Sequence, residues 1–191
     1  PLEFYLDNID EVTPVLHELY KELLARGSLS ETMRQAILSP LYKNKGERHD
    51  PTKYRPISVT TIEYRILAKC IAQRLNHAIS FLIADPQVGF CPLRKYDENV
   101  SVVRSTVRDI NGRRQSEGGL ILFLDNEKAY DRVQHEFMYQ VLDAFNLPEE
   151  LIGVVRTLYK GAATSVKTNG LIGGAFGNTS GVKQGCPLSC L

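Results

Sequence analysis

Tryptophan is absent from this sequence and methionine occurs only twice. No apolar run reaches the length of a membrane-crossing helix. The start, Pro1-Leu2-Glu3-Phe4-Tyr5, carries neither the basic segment nor the apolar stretch of a secretion signal. We therefore expect an intracellular chain, in cytoplasm or nucleus, with no membrane partner. Strong net charge is missing too, since 23 basic and 22 acidic side chains leave +1. The molecule as a whole is no polycation, so any affinity for nucleic acid must come from local patches. The four cysteines, Cys70, Cys91, Cys186 and Cys190, form no C-x-x-C pair, and no histidine adjoins the closest two. That argues against a zinc site and for thiols in a reducing compartment. His17, His49, His77 and His135 are scattered and suggest no ligand set. The first residue is not Met and Leu191 ends an apolar stretch, so both ends are expected to continue in something longer.

What is present is ordinary globular composition, 43% hydrophobic and 24% charged over 191 residues. That suffices for one sizeable core or two small ones. The organising stretch runs from Gly119 to Asp131. Leu120-Ile121-Leu122-Phe123-Leu124 does not alternate, which predicts a strand buried on both faces and running into Asp125. A carboxylate there is costly unless compensated. A divalent metal ion would compensate it. Alternatively, Asp125 caps a helix over Glu127–Tyr130. The residues alone leave both readings open.

Upstream, leucines at helical spacing predict a helix over Asp10–Arg26 that stops at Gly27. Ala36–Tyr42 reads as a strand, at an edge or kinked at Pro40. The charged loop Lys43–Pro51 follows, then an extended Tyr54–Thr60. Lys43, Lys45, Lys53 and Arg55 surround the tip of this hairpin, either as a solvated loop or as a phosphate grip. A long helix over Ile62–Ile83 has the apolar face Ile62, Ile66, Leu67, Cys70, Ile71, Leu75, Ile79 and Leu82. Gln87–Arg94 is irregular. A helix over Glu98–Gln115 is expected to bury Val100, Val103, Val107 and Ile110, and a basic loop over Asn111–Gly119 follows. After Asp131, helices are predicted at Glu136–Phe145, with Phe137, Val141 and Leu142 inward, and at Leu151–Tyr159. Short strands at Ala163–Thr168 and Gly174–Val182 flank the turn Asn169-Gly170, and Pro187 would open a last helix.

Several of these stretches occur in the order and spacing of one family. The chain resembles the reverse transcriptases of non-LTR (LINE-type) retrotransposons. Phe123-Leu124-Asp125-Asn126-Glu127-Lys128-Ala129-Tyr130-Asp131 is similar to motif A, although Asn126 stands where an aromatic or aliphatic residue is usual. Gly181-Val182-Lys183-Gln184-Gly185-Cys186-Pro187-Leu188-Ser189 is similar to motif B. Tyr54-Arg55-Pro56-Ile57-Ser58, with Leu41-Tyr42-Lys43 before it, is similar to the fingers motifs. Gln87-Val88-Gly89-Phe90 with Arg94, and Glu3-Phe4-Tyr5, match two further blocks.

The resemblance implies an α+β fold, a right-hand polymerase with fingers at residues 1–118 and an incomplete antiparallel palm at 119–191. It implies RNA-directed DNA polymerase activity on an RNA template, a DNA primer and deoxynucleoside triphosphates. Asp125 takes the place of the catalytic acid that holds two magnesium ions (Mg2+). Lys43 and Arg55 take the place of the pair that grips the triphosphate. Tyr130 matches the aromatic under the sugar, Gln184 and Gly185 the turn beside nucleotide and template, and Gly89, Phe90 and Arg94 residues near the template. Asp131 is not counted as catalytic and is expected to cap a helix or pair with Arg132. The family's motif C, an aromatic-Ala-Asp-Asp hairpin, does not occur in this sequence, and Cys190 stands where Pro is usual after Leu188-Ser189. We therefore expect this chain alone not to polymerise DNA, and the strand ending at Asp125 to show an apolar edge to solvent. Two alternatives remain open: a non-catalytic RNA-binding relic that uses the basic patches, and a group II intron-type maturase.

Overall fold

A computed structural model describes residues 2–112 and 119–190, apart from the side chain of Ser80. The middle of the predicted basic loop, the predicted helix end at Gln115 and Leu191 lie outside the described residues. The chain divides into two compact units, one formed by residues 1–72 with 129–190, the other by 73–128.

The first unit opens with α1 (Leu2–Asp7) and α2 (Ile9–Arg26). Gly27 ends α2 in the left-handed region at φ 65°, donating back to the Leu24 carbonyl. The Ser30 hydroxyl caps α3 (Glu31–Arg34) by accepting from the Met33 N–H. β1 (Gln35–Tyr42) and β2 (Tyr54–Val59) then pair antiparallel, with Pro40 opposite Pro56. The two missing backbone donors thus fall on one rung. β3 (Ala163–Thr168) runs parallel to β1 along Gln35–Leu38, beyond which Pro40 faces no third strand. The sheet is therefore mixed, with the order β2-β1-β3-β4, where β4 is Leu171–Ile172. Asn169 and Gly170 (φ 51° and 82°) make the two-residue turn into β4. That backbone suits the right-handed twist of a hairpin. β5 (Phe176–Gly177) pairs the start of β3, and its register is offset by one residue from that of β4. The extra residue forms a bulge in the returning strand.

The buried residues of this unit come largely from α4 (Ile62–Leu82) and α8 (Glu149–Tyr159), together with Leu23, Leu29, Met33 and Ala36. Only the first turns of α4, up to Ala72, belong to the unit. There its buried stripe is Tyr64, Leu67, Ala68, Ile71 and Ala72, and α8 contributes Ile152, Val155, Leu158 and Tyr159. Cys70, expected on the buried face, is exposed. Tyr and Ala, which the apolar count passed over, set the true face: small alanines permit close approach and the large ring fills the space. In α7 (His135–Ala144), Phe137 points to solvent and Tyr139 is the buried residue, with the Arg156 guanidinium 4.2 Å above its ring. Pro187 opens no helix; the chain there makes turns through Cys186 N–H to Lys183 O and Ser189 N–H to Cys186 O.

The second unit departs furthest from expectation. α5 (Tyr96–Gly112) has no buried residue, and Val100, Val103 and Val107 are all exposed. Residues 119–126 form no strand. Leu120, Leu122, Phe123 and Leu124 are 70–89% exposed. An apolar run becomes a strand only when a neighbour takes its backbone hydrogen bonds and cover lies on both faces. Among the described residues, 119–126 has no ladder partner. The predicted helix after it reduces to α6 (Ala129–Arg132), in the first unit.

Leu158 is fully buried and Leu171 is largely exposed. Leu158→Ala should therefore lower unfolding stability by about 2–5 kcal/mol in urea titration, and Leu171→Ala by less than about 0.5 kcal/mol.

Candidate nucleotide-binding site

Arg55 lies opposite Leu41 in the β1–β2 ladder, and Lys43 follows two residues after Leu41. Lys43 lies just past β1, but its N–H still donates to Lys53 O at 2.9 Å as the next rung would, so by strand alternation Lys43 and Arg55 stand on the same face of the hairpin. Both are exposed. Side-chain contacts order the hairpin tip. The Lys43 ammonium donates to the Thr52 carbonyl at 3.0 Å. The Tyr42 hydroxyl donates to Gly46 O and that of Tyr54 to Arg48 O. The Arg48 guanidinium sits 5.4 Å above the Tyr42 ring. Hydrogen bonds from Thr52 hold the Asp50 carboxyl below the usual carboxylate range, helped by Lys53.

β2 is the end strand of the sheet, and its outer edge meets the turn at Gln184-Gly185. The Ser58 N–H donates to the Gln184 carbonyl at 2.7 Å. Gly185 has φ 106°, and a Cβ there would stand 3.1 Å from Ser58 O. A non-glycine residue would be strained by its backbone and crowded by its neighbour. The segment leading into this turn is tied to the region of α6. Val182 N–H donates to Tyr130 O at 2.8 Å, Gly181 N–H to Val133 O at 2.7 Å, and the His135 ring lies 2.8 Å from Gly181 O. Tyr130 is thereby held in one framework with Gln184. Its hydroxyl donates toward Cys190 Sγ at 3.8 Å, and burial, with that contact, raises its pKa. A cleft of about 130 Å³ opens between these pieces, lined by Pro56, Ser58, Asp131, Asn178, Lys183 and Gln184 among others. That volume holds a few waters, not a nucleotide.

Beneath the turn lies a polar-aromatic cluster that sequence reasoning missed. Lys183 is 4% exposed, its ammonium rests 4.1 Å above the Tyr64 ring, and it has no hydrogen-bond partner among the described residues. Burial pushes its pKa down to about 8. The Cys186 thiol donates to the Tyr64 hydroxyl at 3.8 Å, and burial drives that phenol's pKa up. Tyr159 contacts Ser189 Oγ at 3.4 Å and the His135 ring at 4.9 Å. A tyrosine inside the helical stripe at 64 was the available signal.

The structure thus gathers Lys43, Arg55, Tyr130, Gln184 and Gly185 in the first unit. Asp125, Gly89, Phe90 and Arg94 belong to the second. Asp125 is exposed, within the irregular segment 119–126. Phe90 is exposed at φ 59°. The Arg94 guanidinium donates to the carbonyls of Ile83, Ala84 and Gln87. Among the described residues no group of three or more His, Cys, Asp or Glu could hold a metal ion. Asp125 offers one carboxylate, which alone is not a ligand set for a metal pair. Among the described residues, no helix is long and apolar enough to cross a membrane.

Comparison with known proteins bears on what this arrangement serves. The family described as reverse transcriptase (RNA-dependent DNA polymerase) matches residues 42–191. The Transposon TX1 uncharacterized 149 kDa protein of Xenopus laevis is 33% identical over 188 residues, covering 98% of this chain and 14% of that protein. A retrovirus-related Pol polyprotein from the type-2 retrotransposable element R2DM of Drosophila melanogaster is 34% identical over 140 residues, 73% of this chain and 13% of its own length. A Pol polyprotein from the type-1 retrotransposable element R2 of Nasonia vitripennis is 28% identical over 142 residues, 74% of this chain and 14% of its own length. The chain thus spans about a seventh of the length of these relatives.

The Lys183 ammonium gives a pH-dependent test. Its folded-state value, about 8, lies below the ordinary 10.5. Between those values the unfolded chain binds the extra proton, so stability rises with pH across that window. Lys183→Met should be more stable than the parent below pH 8, by up to about 3 kcal/mol. The gain should shrink towards pH 10.5. Urea titrations at several pH values measure it; a difference independent of pH would contradict it.

Proposed function

Because this chain belongs to the reverse transcriptase (RNA-dependent DNA polymerase) family, of the non-LTR retrotransposon kind, we propose that it is the nucleotide- and template-handling segment of a retrotransposon RNA-directed DNA polymerase. Residues 1–118 form the fingers of a right-hand polymerase and 119–191 the first part of its palm. The template is RNA, the primer DNA, and the substrates deoxynucleoside triphosphates. Lys43 and Arg55 grip the triphosphate, whose charge two exposed cations on one face stabilise directly. Tyr130 lies under the sugar, where a flat ring excludes a 2′-hydroxyl. Gln184 and Gly185 flank the nucleotide and template, and Gly89, Phe90 and Arg94 the template.

One observation supports the nucleotide site above the rest. Arg55 lies opposite Leu41 in the ladder, the Lys43 N–H to Lys53 O bond carries the pairing one rung past its end so that Lys43 and Arg55 share a face, and the Ser58-to-Gln184 bond fastens the Gln184-Gly185 turn to the same hairpin. The family is in general divalent-metal dependent. We take the ion to be magnesium and Asp125 to be one carboxylate ligand, in keeping with the preference of that ion for carboxylate and phosphate oxygens. The two alternatives, an RNA-binding relic and an intron maturase, gain nothing from relatives that are transposon and retrotransposon proteins.

A labelled deoxynucleoside triphosphate should bind this chain. Lys43→Ala and Arg55→Ala should each weaken binding by about tenfold, the size expected for one charge-assisted contact. Tyr130→Val should improve binding of the ribonucleotide relative to the deoxynucleotide. With magnesium, an RNA template and a DNA primer, the chain should give no extension above background. Extension abolished by Asp125→Ala would show that the chain carries a working metal site after all.

A further inference from the structure

The Gln184-Gly185 turn and the short helix that carries Tyr130 are far apart in sequence, and the segment 180–182 joins them. α6 (Ala129–Arg132) is a single turn, too short to hold its own shape. Its Tyr130 carbonyl and the Val133 carbonyl just past it are met from outside, by Val182 N–H and Gly181 N–H. Gln134 and Ser180 form an antiparallel bridge beside them. Gln184 follows Val182 by two residues, so at most about 7 Å of extended backbone separates the turn from the donor that holds Tyr130.

These ties run between backbone atoms, which most residue types supply. Side-chain identity enters at Gly181 and at His135. Gly181 has φ 82°, and an added Cβ would stand 3.1 Å from Asp131 O and 3.3 Å from Tyr130 O, so this close approach needs glycine. His135, the first residue of α7, has its Nε2 2.8 Å from Gly181 O. A carbonyl only accepts, so Nε2 carries the hydrogen. The His135 ring is half-buried and packs 4.9 Å from the Tyr159 ring, itself 5% exposed. Packing against a buried ring fixes the imidazole, and the imidazole in turn fixes the Gly181 carbonyl. Gly181 is thus bound through both its N–H and its carbonyl, to Val133 and His135.

We propose that His135 is a positioning residue for sugar selection. By holding the Gly181 carbonyl it fixes the spacing between Tyr130 and the Gln184-Gly185 turn, and that fixed spacing lets the Tyr130 ring exclude a ribonucleotide. This rests on the reading of Tyr130 as the residue under the sugar. Exclusion of a single hydroxyl works only where the excluding group cannot recede, and displacements of about 1 Å already matter at such sites. His135 acts through Gly181 and Tyr130, not by contact with the nucleotide.

The test is displacement of a fluorescent deoxynucleoside triphosphate from the whole chain by the matching unlabelled ribo- and deoxynucleotides, with amide hydrogen exchange on the same variants. His135→Asn and His135→Gln form a matched pair, because the Gln amide reaches the place of Nε2 and the shorter Asn amide does not. His135→Asn should lower the preference for the deoxynucleotide by about fivefold, the size expected for one lost hydrogen bond, and His135→Gln should keep it. Exchange of the Gly181 and Val182 amides should quicken in His135→Asn and stay slow in His135→Gln. Displacement by inorganic triphosphate should be equal in all three proteins, since Lys43 and Arg55 are untouched. His135→Phe keeps a ring against Tyr159 but removes the donor, so it should behave as His135→Asn and decides the matter if that variant does not fold. An equal loss of affinity for both nucleotides, the mark of a purely structural role, would overturn the proposal. A parent chain that binds neither nucleotide, or both alike, would mean that the reading of the site fails and takes this role with it. A parent preference that survives in His135→Asn and His135→Phe overturns this role alone.

Discussion

The hydrogen bond from the Ser58 N–H to the Gln184 carbonyl does two things at once. It occupies the free edge of β2, which would otherwise offer a template for another strand. It also sets the position of a turn whose backbone, among the described residues, no other strand of the sheet holds. From that point the neighbouring geometry follows. Gly185 must adopt φ 106° to let the Ser58 carbonyl pass. Cys186 then reaches the Tyr64 hydroxyl, and Lys183 falls over the Tyr64 ring. Upstream, Gly181 and Val182 clasp residues 130–133. Removing the bond would leave a donor and an acceptor without partners and loosen the turn from β2.

The Lys183 ammonium is the costly member of this arrangement. Its burial without a hydrogen bond opposes folding, and the ring face of Tyr64 offsets only part of that cost. A core built for stability alone would hold an apolar side chain there. The cluster of Lys183, Tyr64, Cys186, Tyr159 and Ser189 therefore marks a place where the turn's position outweighs the packing optimum.

α4 shows the same economy along its length. Its first turns carry Tyr64 and the alanines that close against the core, and the carbonyls just beyond its end are met by Arg94. Both ends use a cation, Lys183 on the ring of Tyr64 and Arg94 on backbone acceptors. In each case the charge orders a short loop: residues 181–189 in one, residues 83–94 in the other.

The sequence by itself determined the family, through blocks whose order and spacing span nearly the whole chain, and it determined most single elements. α2, β1, β2, α4, α8 and β3 follow from local periodicity and from punctuation at Gly27 and Asn169-Gly170, because these signals act within a few residues. The common face of Lys43 and Arg55 was legible in outline as a basic hairpin. Tertiary structure alone decided the rest, since burial and strand pairing belong to pairs of segments and not to one. Leu120–Leu124 has the composition of a central strand, yet it forms none among the described residues because nothing pairs with it. The valines of α5 have helical spacing but are left exposed among the described residues. Tyr64 beneath Lys183, Ser58 on Gln184 and Arg94 on its three carbonyls join residues far apart in sequence or bound through backbone atoms. No pattern of side-chain types records such contacts.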